Sequence, residues 1–136
     1  MPKPRSFRFD DSLLAALEER ARERGESATA VAERFLREGL RREDHPLITF
    51  REGAAGRRAA LIGTRLDVAQ VIETLRESDN SVEAAAEYLE IPEASVRAAV
   101  RYYAEFQDEV DAWRELVQAI ADREEEAWRR EQAILA

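Results

Sequence analysis

The sequence predicts a mainly α-helical protein with one short strand at its start and a small β-hairpin near its middle. Three observations lead there. Apolar residues recur at three- and four-residue intervals along most of the 136 residues, and charged residues, 37% of the chain, fill the positions between them. Gly and Pro are few, five and four, and Gly25, Pro46 and Pro92 stand where helices are expected to start or stop. The β-rich runs are short: Ser6–Phe9, and the stretch on either side of Gly53 and Gly56.

Ser6-Phe7-Arg8-Phe9 alternates polar and aromatic. Successive side chains of a strand face opposite ways, so Phe7 and Phe9 share the buried face and Ser6 and Arg8 the other. Asp10 or Asp11 is placed to cap a helix. Leu13, Leu14, Leu17 and Ala21 follow at helical spacing, and Gly25 suits a left-handed helix end. Ser27 can cap the next helix, whose stripe is Val31, Phe35, Leu36 and Leu40. One strand and two helices bury too little area alone. Two copies solve this, with paired strands over four interlocked helices and a core of Phe7, Phe9, Leu13, Leu17, Val31 and Phe35.

With "SFRF", "DDSLLAALEERARERG" and "ESATAVAERFLREGL" in this order, residues 4–43 resemble the ribbon-helix-helix family of bacterial repressors and antitoxins. That resemblance implies a homodimer or higher even oligomer on double-stranded operator DNA. Ser6 and Arg8 would then read base edges in the major groove, with Lys3 and Arg5 near phosphates. Arg paired with guanine is the commonest specific base contact. Backbone N–H groups at Ser27 and Ala28 would meet a phosphate. A plain dimerisation arm, with Arg discouraging edge aggregation, fits the same segment.

Pro46 disfavours helix at His45, which is expected in a linker in an exposed or capping role. A hairpin turns between Gly53 and Gly56. Asp67 caps a helix over "DVAQVIETLRES", Ser81 starts a second, and Pro92 starts a third. Ala85, Leu89, Val96 and Val100 are candidate packing positions. The last two helices, with a tight turn at Glu90–Glu93, read as a helix-turn-helix. Arg97 and Arg101 share a face of the last one. With Ser95 they are candidate DNA contacts, opposed by the acids Glu90 and Glu93. The alternative is a small helical domain whose Arg residues pair with neighbouring acids.

"IGTR" at Ile62–Arg65, "YLEIPEASVRAAV" at Tyr88–Val100 and "YYA" at Tyr102–Ala104 make residues 45–104 resemble the domain-of-unknown-function-433 family. Its members are small hairpin and helix-turn-helix units, and many look like antitoxins encoded beside PIN-like toxins. Two departures stand out. Many members have Gly-Gly-x-Pro where this chain has Gly56-Arg57-Arg58-Ala59, and Pro where it has Asp67.

No Gly or Pro occurs from Glu93 to Ala136, so a long helix is expected, broken once or frayed near its end. Val110, Trp113, Val117 and Ile120 are near helical spacing, with Trp128 further on. The segment either packs on the middle domain or folds on a partner, with Trp113, Trp128, Ile134 and Leu135 as anchors. Its acidity suits a basic partner such as a ribonuclease. The family resemblance implies a PIN-like toxin; a helix inserted in its active site would block substrate or, through Arg129 or Arg130, displace the metal.

The net charge of −8 is uneven. Residues 1–44 are neutral, 45–104 carry −2 and 105–136 carry −6, while Lys3, Arg5 and Arg8 precede any acid. With one His and no Cys, neither a nucleophile–base pair nor a metal site stands out, and no phosphate loop is present. Glu124, Glu125 and Glu126 are consecutive and point to different sides of a helix. No cofactor, metal or catalytic residue is expected. No apolar run approaches the roughly 20 residues of a membrane span.

The fold class expected is therefore mainly α: a dimeric ribbon-helix-helix over 1–44, a hairpin plus helix-turn-helix over 45–104, and a partner-binding helix over 105–136. The function expected is a cytoplasmic type II antitoxin and autorepressor. Its rivals are a stand-alone dimeric regulator and an interaction module that binds no DNA.

Overall fold

A computed structural model describes residues 2–136. They form α1 (Asp11–Arg24), α2 (Ala28–Asp44), β1 (Ile48–Gly53), β2 (Gly56–Leu61), α3 (Val68–Glu77), α4 (Val82–Leu89), α5 (Glu93–Glu105) and α6 (Gln107–Leu135). The molecule is mainly helical with one two-stranded antiparallel hairpin. It divides into two compact units, one ending at Glu43 and one from Asp44 to Ala136.

In the first unit the expected punctuation forms. The Asp10 carboxylate accepts from the Leu13 N–H at 2.7 Å and caps α1. Gly25 ends that helix at φ 66°. The Ser27 hydroxyl accepts from the Ala30 N–H at 3.1 Å and caps α2. Arg34 of α2 reaches back to Glu26 at 2.7 Å, fastening the turn. Residues 2–10 form no strand paired within the chain. A strand must exchange hydrogen bonds with a neighbour, and this segment has none in its own chain.

The second unit is built on the hairpin and the four helices after it. Ile48 pairs with Leu61 and Gly53 with Gly56, leaving a two-residue loop. Asp67 and Gln70 form a reciprocal capping box at the start of α3. The Asp67 carboxylate accepts from the Gln70 N–H and the Gln70 side-chain oxygen accepts from the Asp67 N–H, each at 2.9 Å, so the pair satisfies two N–H groups at the helix entry. Ser81 caps α4 through the Ala84 N–H. Helices α3, α4 and α5 pack pairwise, and α3, α5 and β2 each touch α6. Ile48, Leu61, Val68, Val71, Ala85, Val96, Ala99 and Tyr102 are buried at the centre.

The long helical run breaks once, at Phe106 (φ −122°, ψ 42°). Its ring packs 4.7 Å from Tyr102, centroid to centroid. Side-chain bonds span the bend: Tyr102 Oη donates to Glu109 at 2.7 Å and Tyr103 Oη to Asp111 at 2.8 Å. The tail expected from residue 105 thus starts inside this unit, with Val110 buried and Trp113 packed on the core.

Glu90 ends α4 in the left-handed region at φ 56°, where a Cβ is strained. Glu90→Gly should therefore stabilise the protein by about 1 kcal/mol, read as a raised urea midpoint with unchanged slope.

Candidate nucleic-acid and partner interfaces

The first unit buries little of its apolar stripe. Ala21 and Val31 are enclosed and Leu17 is half-buried, but Phe7, Phe9, Leu13, Leu14, Phe35, Leu36 and Leu40 are exposed, Phe7 by 69% and Leu40 by 65%. Of the six residues expected in a dimer core, the single chain encloses Val31 alone. The remaining surface is contiguous in sequence pattern and unusually apolar for a face left in water. Arg24 and Arg34 lie over the Phe35 ring at 5.9 and 5.6 Å.

Lys3, Arg5, Ser6 and Arg8 are exposed in the segment that leads into α1. Three cations precede the first acid, Asp10, whose carboxylate is engaged at the helix cap. Ser27 and Ala28 lie at the start of α2, where the Ser27 hydroxyl already serves the helix.

The second basic candidate is weaker. On α5, Val96, Ala99 and Tyr102 face inward, while Arg97 and Arg101 face out and Ser95 is half-buried. Arg97 stands 4.0 Å from Glu93, and Glu90 is exposed at the preceding turn. An exposed pair at that distance contributes little to stability, but it halves the local positive charge. The hairpin arginines are committed internally. Arg51 donates to the Leu61 carbonyl at 2.9 Å, and Arg58 lies 3.6 Å from Asp67 and 5.6 Å above the Trp113 ring.

The partner anchors separate into two groups. Trp113 is half-buried against the core and Arg58, so it holds α6 on its own unit. Trp128, Ile134 and Leu135 are 58%, 84% and 77% exposed. Arg129 and Arg130 lie beside them, paired along the helix with Glu125 at 2.6 Å and Glu126 at 3.2 Å. From Ala121 onward every residue except Ala127 is exposed.

His45 is not the exposed linker residue expected. It is buried, with Nε2 2.7 Å from Glu105 Oε2 and its ring edge-on to Tyr102 at 5.2 Å. Pro46 stops α2 as expected, but the turn that follows tucks the imidazole under α5. The sequence signal was thin: a lone His beside Pro reads as polar. Among the described residues no group of three or more His, Asp or Glu is placed to hold a metal ion. The depression at Glu105–Glu109 is lined by the residues of the helix break alone. No helix of the described residues is long and apolar enough to cross a membrane.

Comparison with known proteins places one segment. Residues 48–103 match the DUF433 family, described as a protein of unknown function. That span covers β1 through α5, the hairpin and its three-helix core. No curated protein and no solved structure matches the chain.

A Leu13→Glu, Leu36→Glu double variant tests for a second copy on this apolar face: sedimentation should shift from dimer in the parent to monomer in the variant. The near-ultraviolet dichroism of Tyr102 and its neighbours in the second unit should persist.

Proposed function

We propose that this chain, with a DUF433 family domain at its centre, is a dimeric DNA-binding autorepressor and the antitoxin of a type II toxin–antitoxin pair. In this reading it is a binding protein and not an enzyme, and it works in the cytoplasm. The observation that carries the reading is the first unit: an uncovered apolar face, preceded in the chain by a basic segment that has no strand partner in its own chain.

Two copies supply what one lacks. Residues 5–9 of each pair antiparallel, which satisfies their backbone groups and turns Phe7 and Phe9 onto the exposed leucines of α1 and α2. The same alternation turns Ser6 and Arg8 outward on a two-stranded ribbon, an element that the major groove admits. Lys3 and Arg5 then lie near phosphates, and the start of α2 offers N–H groups to another. The acidity lies elsewhere, mostly beyond residue 104. Local charge, not the net −8, governs contact with DNA.

The middle domain stiffens this assembly and carries α6. The exposed end of α6 is the segment for the toxin, with Trp128, Ile134 and Leu135 as anchors and Arg129 and Arg130 beside them. A PIN-like ribonuclease is the partner implied by the resemblance of residues 45–104 to proteins encoded beside such toxins. An acidic helix laid across an RNA-binding groove competes with the substrate for the same cations.

Two outcomes are expected. Binding of the full chain to its own upstream DNA should fall steeply with salt, with a slope near −0.9 per phosphate neutralised. Arg8→Ala should weaken it by about ten-fold or more, as one lost bidentate base contact does, while Arg97→Ala leaves it within about two-fold. Equal loss with both variants, or no binding at low salt, would overturn the ribbon reading. Removing residues 122–136 should leave DNA binding intact and abolish inhibition of the PIN-like ribonuclease in an RNA-cleavage assay. Full inhibition by the shortened chain would exclude the tail as the inhibitory segment.

A further inference from the structure

The exposed half of α6 has an unusual charge arrangement. Its acids fall into three sets. Asp122 accepts from the Gln118 side chain at 2.8 Å. Glu125 and Glu126 pair with Arg129 and Arg130, four residues on. Glu124 and Glu131 have no such neighbour. Residues three and four away on a helix are the ones a side chain meets. For Glu124 these are Ile120, Ala121, Ala127 and Trp128, and for Glu131 they are Ala127, Trp128, Ile134 and Leu135. Every one is apolar.

The two carboxylates therefore stand on the midline of the apolar stripe. That stripe begins as the core-facing side of α6, at Val110 and Trp113. It continues through Val117 and Ile120 at alternating steps of three and four residues, then meets Glu124, Ala127, Glu131 and Ile134 at the same steps. Glu124 and Glu131 are seven residues apart, about 10 Å along the axis. Trp128, Ile134 and Leu135 flank them and are exposed. Neither Glu has a hydrogen bond or ion pair among the described residues.

A docked partner would bury this stripe with its carboxylates, and a buried charge needs a counter-charge. A second copy of α6 is poorly suited, since parallel pairing in register sets Glu124 against Glu124 and Glu131 against Glu131. Like charges at such core positions select against self-pairing. We infer that this face of α6 docks on a protein partner whose apolar surface carries two cationic side chains, Arg or Lys, about 10 Å apart and in register with Glu124 and Glu131. The inference rests on the proposed role of the tail as a partner-binding segment and adds the chemistry of the surface that receives it. Trp128, Ile134 and Leu135 supply contact area, and the two carboxylates set the register.

The test uses the full-length chain and two synthetic peptides of residues 107–136. One has the natural sequence and the other carries E124R and E131R. Binding is followed by anisotropy of a dye on the peptide. The doubly basic peptide should bind at least ten-fold more tightly than the natural one, and the preference should shrink as salt rises. A full-length E124Q, E131Q variant should lose that preference while keeping its helicity. Equal affinity for the two peptides, or tighter binding of the natural one, would overturn the inference, the latter in favour of a self-pairing face. No binding of either peptide at millimolar concentration would overturn it as well. If the peptides show no preference while removal of residues 122–136 still abolishes ribonuclease inhibition, the tail remains the inhibitory segment and only the paired-cation surface is wrong.

Discussion

Two helices cannot enclose a core, and the first unit is organised by that constraint. Its stripe of Leu13, Leu14, Phe35, Leu36 and Leu40 is long enough to specify α1 and α2, yet Val31 and Ala21 are the residues it encloses. Fully burying a Leu or Phe side chain is worth about 1.5–3 kcal/mol, so these partly exposed residues together forgo several kcal/mol, a large share of the stability of a small domain. In the proposed reading a second copy covers this surface, and the chain's own aromatic segment, Phe7 and Phe9, is the piece that completes it. In the proposed assembly, the pairing that covers the stripe also points Arg8 outward. Folding, dimerisation and DNA contact become one event.

The second unit faces no such shortage. Tyr102 is fully buried between the hairpin, α5 and the bend into α6, and each polar atom brought in with it has a partner. Its hydroxyl meets Glu109, His45 meets Glu105, and Tyr103 joins Arg76 to Asp111. These bonds hold α6 at a defined exit from the core. They make the exposed end of α6 a projecting element on a rigid base, an arrangement suited to presenting side chains to another molecule.

Much of this was legible in the sequence because local chemistry determines it. Asp10, Gly25, Ser27, Asp67 and Ser81 mark helix ends by satisfying backbone groups, and each does so within three residues of itself. A single break after Glu93 was one of the two outcomes expected of that run, though its position was not legible. Phe106 breaks the helix through packing with Tyr102 and His45, a contact whose two sides lie up to 61 residues apart. The burial of His45 and the commitment of Trp113 to the core were missed for the same reason. Each depends on a tertiary neighbour, Glu105 or Arg58, that no spacing rule connects to it. Outward-facing groups are legible in another way. Glu124 and Glu131 stand out once their helical neighbours are written down.

The central claim is that residues 5–9 form a strand only against a second copy. Amide hydrogen exchange at Ser6, Phe7, Arg8 and Phe9 tests it most directly. The account predicts protection for the amides that cross the ribbon, lost on dilution in step with dissociation of the dimer. Rapid exchange at all four positions in a sample that is fully dimeric would contradict it, because the copies would then be joined through the helices alone.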